Sequence, residues 1–312
     1  MPHPLAVTAY APGSIGNVGP GLDILGLAVA GAGDTVTARR TTAARITVQD
    51  PGHADLPTDP ERHTAALAAR EVLRQAGASG GLELRVRKGL PLAGGQGGSA
   101  ASAVAGAVAV NKLLDEPLST NDLIEACLIA EAVVAGRHAD NIAPSLMGGL
   151  VLVHSLDPVD VVSIRVPSNL WIVLAHPEQV LRTAEGRARL PTQVPRDLAL
   201  RQAARVAALV AACASDDLEL LGRALVDEIA EPARAPLLPG FVEAKAAALA
   251  AGAIGCSISG SGPTSFAFAA TTASAERVAA AMQAAYLTRG IPCQARVTQP
   301  DTRGAHVLHP EP

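Results

Sequence analysis

The sequence predicts an α+β protein built in two halves. Three observations carry that expectation. The chain is 312 residues long, enough for two modest domains. Its strand-like and helix-like segments do not follow one another in regular βαβ alternation. Near residue 156 the succession begins afresh with two strands and a long helical stretch, so the halves are expected at 1–155 and 156–312.

Ala6 to Ala38 reads as strand, loop, strand, the loop being the Gly/Pro/Asn-rich stretch from Gly13 to Gly21. Residues 50–62 are a polar, proline-rich connector. His63 to Gln75 has helical spacing, with Leu67, Val72 and Leu73 to one side, and Leu82 to Val86 alternates as a strand. A glycine-rich loop, Leu92 to Gly98, leads into an Ala/Val-rich helix from Ser99 to Leu114. Ser119 to Asp122 starts a further helix that runs to about Ala135, where Gly136 can stop it. Leu150 to His154 is a short strand. In the second half, Val161–Val166 and Leu170–Ala175 read as strands, and Asp197–Ser215, Asp217–Glu228 and Phe241–Ala251 as helices. Gly255–Ser259 and Ser265–Ala269 are strands about a tight turn, and Ala273–Thr288 is the last helix.

Composition excludes several classes of function. With 49% apolar and 17% charged residues the chain is an ordinary globular protein. A net charge of −4 leaves no electrostatic footprint for nucleic acid or an anionic membrane, so an anionic substrate has to be held by a local site. Aromatic residues, at 2%, are too few for a base-stacking platform. Cys127, Cys213, Cys256 and Cys293 lie far apart with no CxxC, which suits separate thiols in a reducing cytoplasm. The N-terminus shows no basic segment followed by an apolar run, so no signal peptide is expected. The uncharged stretch between Lys245 and Glu276 is punctuated by glycines and Pro263, which suits a strand–turn–strand and not a membrane span.

Four segments can carry chemistry. In residues 91–102 (PLAGGQGGSAAS), Gly94, Gly95, Gly97 and Gly98 allow the backbone to approach a bulky anion, and the helix that follows offers unpaired N–H groups and the positive end of its dipole. No charge lies between Gly89 and Asn111, so the backbone has to supply most of the attraction. The loop is not a Walker A, and taken alone it serves structure as readily as a ligand. Glu131 falls among the apolar neighbours Cys127, Leu128, Val134 and Ala135. A carboxylate buried there requires a cation or donors, and a Mg²⁺ beside phosphates would answer; the other reading is a side chain that reaches solvent near the helix end. His138, Asp140 and Asn141 cluster in the loop 136–144, either as a turn or at the mouth of a pocket. Residues 255–263 (GCSISGSGP) make a rigid turn, either a plain hairpin or a support for a neighbouring loop.

Taken together, these segments stand in the order and spacing of the GHMP kinases, the superfamily of galactokinase, mevalonate kinase and the homoserine kinases. Residues 91–102 resemble its signature P-x-x-x-G-x-G-x-S-A-A, and residues 259–263 (SGSGP) resemble its third motif. The opening 11–26 (APGSIGNVGPGLDILG), the loop 135–144 (AGRHADNIAP), the run 183–187 (TAEGR) with Leu190 and Pro191, and the run 231–234 (EPAR) before Pro239 are similar to segments of the homoserine kinases. The resemblance spans residues 5 to 270. One departure is visible: the family pattern Leu-Gly-Ser-Ser reads here as Gln96, Gly97, Gly98 and Ser99, so a hydroxyl is missing at Gly98.

The resemblance implies a two-domain fold with an N-terminal ribosomal-protein-S5-like nucleotide-binding domain and a C-terminal ferredoxin-like domain. It implies transfer of the γ-phosphoryl of ATP to the side-chain hydroxyl of L-homoserine, on the route to threonine. Pro91, Gly94, Gly95, Gln96, Gly97, Gly98, Ser99, Ala100 and Ala101 would bind ATP, and Ser99 with Glu131 would bind Mg²⁺. Gly260, Ser261 and Gly262 form the third-motif loop. Asn17, Asp23, His138, Asp140, Arg187 and Arg234 would gather around the amino acid, with Asn141 and Arg187 in catalytic positions. No nucleic-acid or membrane partner is implied, and a homodimer is expected. Alternatives are a kinase for another small hydroxylated acceptor, such as threonine or shikimate, and a nucleotide-binding regulator without catalysis.

Overall fold

The computed structural model describes residues 5–134 and 136–308, so Ala135, the expected end of the helix before Gly136, lies outside the described residues. The first half is made of β1 (Ala6–Gly16), β2 (Leu25–Thr41), β3 (Ile46–Asp50), α1 (Thr64–Gln75), β4 (Gly81–Arg87), α2 (Gly98–Asn111), α3 (Thr120–Val134), α4 (Ile142–Met147), β5 (Leu150–Leu156) and β6 (Val159–Ile164). The second half contains β7 (Trp171–Pro177), α5 (Thr183–Ala188), α6 (Arg196–Ser215), α7 (Leu218–Ala224), α8 (Ala230–Arg234), a 3₁₀ turn over Ala235–Leu237, α9 (Phe241–Ala250), β8 (Gly255–Ile258), β9 (Ser265–Ala269), α10 (Thr272–Thr288), β10 (Cys293–Thr298) and β11 (His306–Leu308).

Among the described residues, seven strands form the first sheet, ordered β11-β1-β2-β4-β3, with β5 pairing β2 and β6 pairing β5. The second sheet has the order β10-β7-β9-β8 with every pair antiparallel. Strands entering in chain order first, second, third and fourth therefore lie as fourth, first, third, second, with helices after the first and third. That is the ferredoxin-like βαββαβ unit, in line with the α+β expectation. The expected division at 155/156 falls at the last residue of β5 and would separate it from β6, with which it pairs along its length. The sheets part instead between Ile164 and Trp171, and β11 returns to pair with β1. The sequence gives little sign of that return, because β11 is three residues long.

The core explains the placement of the helices. α2 is apolar on every side and nearly all of it is buried, as a central helix has to be. It packs on β1 and β2 from one side and meets α1 and α3 on the other. A second core joins the halves: Ile15, Leu25 and Leu27 of the first sheet pack with Ile172, Leu174, Phe266 and Phe268 of the second, and with Leu209 of α6 and Leu221 of α7. A third core lies under α9 and α10 on the far face of the second sheet. The relative setting of the two sheets is thus fixed by buried apolar contact.

Where helices end differently from expectation, side chains account for it. The helix expected over Asp217–Glu228 stops at Ala224, because the Asp227 carboxylate accepts N–H groups from Ile229, Ala230 and Glu231 at 2.8, 3.0 and 2.8 Å and starts α8 instead. By length and composition α6 is apolar enough to cross a bilayer. Here it lies against the fold, with buried Gln202 donating to the Pro20 carbonyl at 2.9 Å and to Asp227 at 2.8 Å.

Candidate active site

The loop before α2 is the centre of the site, and its peptide planes are sorted. The carbonyl of Gly94 accepts from the Thr264 N–H at 3.3 Å and from its hydroxyl; that of Gly95 accepts from Ser259 Oγ at 2.6 Å. The Gln96 carbonyl accepts from the Ser14 N–H at 3.1 Å, that of Gly97 from the Ala101 N–H at 2.9 Å, and that of Gly98 from Lys88 Nζ at 2.8 Å. In a planar trans peptide the next N–H points opposite to its carbonyl. Five pinned carbonyls therefore aim five successive amides, Gly95 to Ser99, the other way. Among the described residues, no acceptor takes the N–H of any residue from Gly94 to Ala100. Gly97, at the N-cap, has φ +67° and a Cβ there would lie 2.1 Å from Ser14 Oγ, so only glycine closes this turn. A row of open amides at the positive end of a 14-residue helix is an anion cradle.

The cradle opens into a cleft of about 490 Å³ between the two halves. On its floor Ser99 Oγ donates to Glu131 Oε2 at 2.8 Å, while buried Glu131 Oε1 has no partner among the described residues. Burial pushes the Glu131 carboxyl up to about 7, against the opposing pull of the Ser99 hydrogen bond and the Lys88 charge. His138, Asp140 and Asn141 stand at the entrance to α4. Asp140 is buried, its Oδ2 accepts from the Asn17 N–H at 3.1 Å, and burial together with the Asp23 charge raises its carboxyl to about 7. Asn141 accepts from Ser14 Oγ at 2.9 Å.

The opening loop lies opposite. Asn17 and Asp23 both adopt left-handed backbone, with φ +68° and +62°, and Asn17 Oδ1 holds the Asp23 N–H at 3.1 Å. Arg187 of α5 grips Asp23 through both carboxylate oxygens at 2.7 and 3.1 Å. Burial works to raise the Asp23 carboxyl, but the Arg187 bonds and charge outweigh it and hold it low. His138 Nδ1 is 4.0 Å from Asp23 Oδ1. Arg234 of α8 is buried, donates to the carbonyls of Gly260 at 2.9 Å and Gly186 at 3.4 Å, and has no carboxylate at ion-pair distance among the described residues. Burial and the Arg187 charge depress its pKa. The Gly260 carbonyl also accepts from Asn17 Nδ2 at 3.0 Å, which ties the third-motif loop to the opening loop.

Both halves of this arrangement match one superfamily: the family model for the GHMP kinases N terminal domain matches residues 63–149, and that for the GHMP kinases C terminal domain matches residues 209–287. The homoserine kinase of Chlorobaculum tepidum is 42% identical over 90% of this chain and 91% of its own. That of Xanthomonas campestris pv. campestris is also 42% identical, over 96% of this chain and 93% of its own. The chain belongs to the homoserine kinase family. The crystal structure of homoserine kinase from Cytophaga hutchinsonii, 39% identical, covers 98% of each chain with a TM-score of 0.93. The chain is therefore a GHMP kinase and an enzyme.

The structure brings nearly all the residues singled out from the sequence to this one cleft: Asn17 and Asp23 of the opening loop, the glycine loop with Ser99 and Ala100, Glu131, His138, Asp140, Asn141, Arg187, Arg234 and residues 260–262. Two do not face it. Ala101 is packed in the core, and the Gln96 side chain turns away to donate to Thr264 Oγ1 at 3.3 Å and to accept from Arg296 Nη2 at 3.4 Å. A Cβ at Gly98 would sit 3.4 Å from Lys88 Nζ, ordinary contact, so a serine fits where this chain departs from the family pattern. Lys88 itself escaped the sequence reading. To the expectation that the backbone supplies most of the attraction near α2 the structure adds the Lys88 ammonium, which stands one residue outside the uncharged stretch and reaches the helix end.

The fold holds the Asp140 proton to about pH 7, whereas an unfolded chain releases it near 3.9. The native state therefore loses stability as the pH rises across that interval. Asp140→Asn keeps an oxygen for the Asn17 N–H and removes the titration. Its stability relative to the parent should climb between pH 4 and pH 7 in urea melts; a difference constant with pH would contradict a buried, proton-retaining acid.

Proposed function

We propose that this chain phosphorylates the side-chain hydroxyl of L-homoserine with ATP and Mg²⁺, and that it does so by alignment and charge neutralisation without a protein base. The activity follows from the family; the division of labour among residues is our reading of the cleft. The observation that carries it is the sorted loop, in which seven consecutive N–H groups from Gly94 to Ala100 face no acceptor among the described residues.

The amides of residues 94–100 hold the phosphate chain of ATP, with the α2 dipole favouring its charge. Ser99 and Glu131 would hold a Mg²⁺: they offer one hydroxyl and one carboxylate, of which Oε1 is buried and, among the described residues, without a partner. Held there, a Mg²⁺ would neutralise charge on the transferring group. Glu131, whose carboxyl burial raises to about 7, would have to be ionised to serve as that ligand.

Homoserine brings an ammonium, a carboxylate and a hydroxyl. Asp23 and Asp140 receive the ammonium, which converts Asp140 to its anion. Arg234, buried without a carboxylate, receives the substrate's, and Arg187 can release one Asp23 oxygen to help it or to face the phosphoryl group. Asn141 stands at the hydroxyl. A carboxamide takes no proton at neutral pH, so Asn141 orients the nucleophile and the proton leaves to phosphate or solvent. A loose phosphoryl-transfer transition state is served by such positioning. The same family resemblance supports a homodimer in the cytoplasm.

Glu131→Ala should leave the fold intact and lower Mg²⁺-dependent kcat by about a hundredfold or more; turnover near the parent level would remove Glu131 from the role. Arg234→Ala should raise KM for homoserine by about tenfold or more with KM for ATP little changed, and the reverse pattern would mean that the two subsites are exchanged.

A further inference from the structure

Lys88, just beyond β4, directs its ammonium beneath the N-terminus of α2. It donates to the Gly98 carbonyl at 2.8 Å, to Ser102 Oγ at 3.0 Å and to Asp34 Oδ2. An ammonium has three donors, and all of them are spent. Asp34, buried on β2, also accepts from the N–H groups of Gly89 and Leu90 at 3.0 and 3.3 Å and from Ser102 Oγ at 2.7 Å. The single Ser102 proton goes to Asp34, so its lone pair is what receives Lys88. The triad is closed, and no donor is left over for a ligand.

Two considerations make this placement hard to explain as scaffolding. A buried ion pair contributes little net stability compared with an apolar pair of the same volume. A cation at a helix N-terminus also opposes the helix dipole. Both penalties fall away once a polyanion occupies the cradle, because the cation then lies behind the very amides that receive it.

We infer that Asp34, Lys88 and Ser102 form a positioning unit for the nucleotide phosphates: Lys88 holds the Gly98 carbonyl to the rear, which aims the Ser99 N–H forward, and keeps a fixed positive charge beneath the cradle, while Asp34 and Ser102 hold Lys88. The inference rests on the reading of the loop as the phosphate site. Lys88 acts through Gly98 and its charge, not as a direct phosphate ligand.

The pair can be removed without stranding either charge. Asp34→Asn combined with Lys88→Met should melt close to the parent yet bind ADP about ten- to a hundredfold more weakly, the loss expected of one charge-assisted interaction. Its affinity for adenosine should be unchanged, both read by calorimetry. ADP binding equal to the parent's in that double variant would overturn the inference. Ser102→Ala, which keeps both charges and loosens Lys88, supplies the second reading should the double variant fail to fold. It should weaken ADP several-fold while adenosine binds as before, and parental ADP affinity there would equally overturn the inference. A parent that bound ADP no better than adenosine would instead sink the phosphate-site reading itself, a distinct result.

Discussion

The site depends on one constraint: the carbonyls of residues 94 to 98 are all held, so the amides beyond them are all open. No single element could impose this. Ser14 comes from β1, Lys88 from the end of β4, and Ser259 and Thr264 from the turn between β8 and β9 in the other half. A helix N-terminus ordinarily finds capping side chains for its first N–H groups. Here Gly97 stands at the cap with no side chain to offer, and the described residues around it supply donors to the carbonyls and no acceptor to the amides. The joint core of Ile15, Leu27, Ile172, Leu174 and Phe266 is what makes that possible, because it fixes the two sheets against each other.

The charges of the cleft follow the same logic of incomplete partnership. Glu131 leaves one buried oxygen unpaired, Arg187 leaves its Nε unpaired, and Arg234 is held by two carbonyls in place of a carboxylate. Unpaired buried groups cost free energy. The fold reduces that cost by letting Glu131 and Asp140 keep their protons to about pH 7. On the proposed reading, substrates of opposite charge would complete the set and direct binding energy to the groups that face the reacting atoms.

Parts of this were legible in the sequence for physical reasons. Helices α1, α3, α6 and α10 are long enough for apolar spacing to show, α2 stands out as a continuous Ala/Val-rich run, and the glycine loop announces close backbone approach by composition alone. The apolar helical neighbours of Glu131 made burial one of two open readings, and the structure decides for burial. Other parts were out of reach of pattern. α4 is broken up by Pro144 inside it and reads as loop. Arg187 and Arg234 sit on helices of six and five residues, too short for periodicity, and only resemblance to a family drew attention to them. Lys88 and Asp34 meet across 54 residues of chain, a pairing that the sheet register creates and no local spacing foretells. Gln96 was expected at the ligand and instead links Thr264 to Arg296, because its peptide, not its side chain, belongs to the loop.

The central claim is that bare amides receive the phosphates. Glycine-selective ¹⁵N labelling makes Gly94, Gly95, Gly97 and Gly98 observable in a single spectrum. On adding ADP with Mg²⁺ their amide protons should move downfield and exchange more slowly with solvent, and adenosine should leave them where they were. If ADP binds and these resonances stay in place while others move, the phosphates lie elsewhere and the account fails.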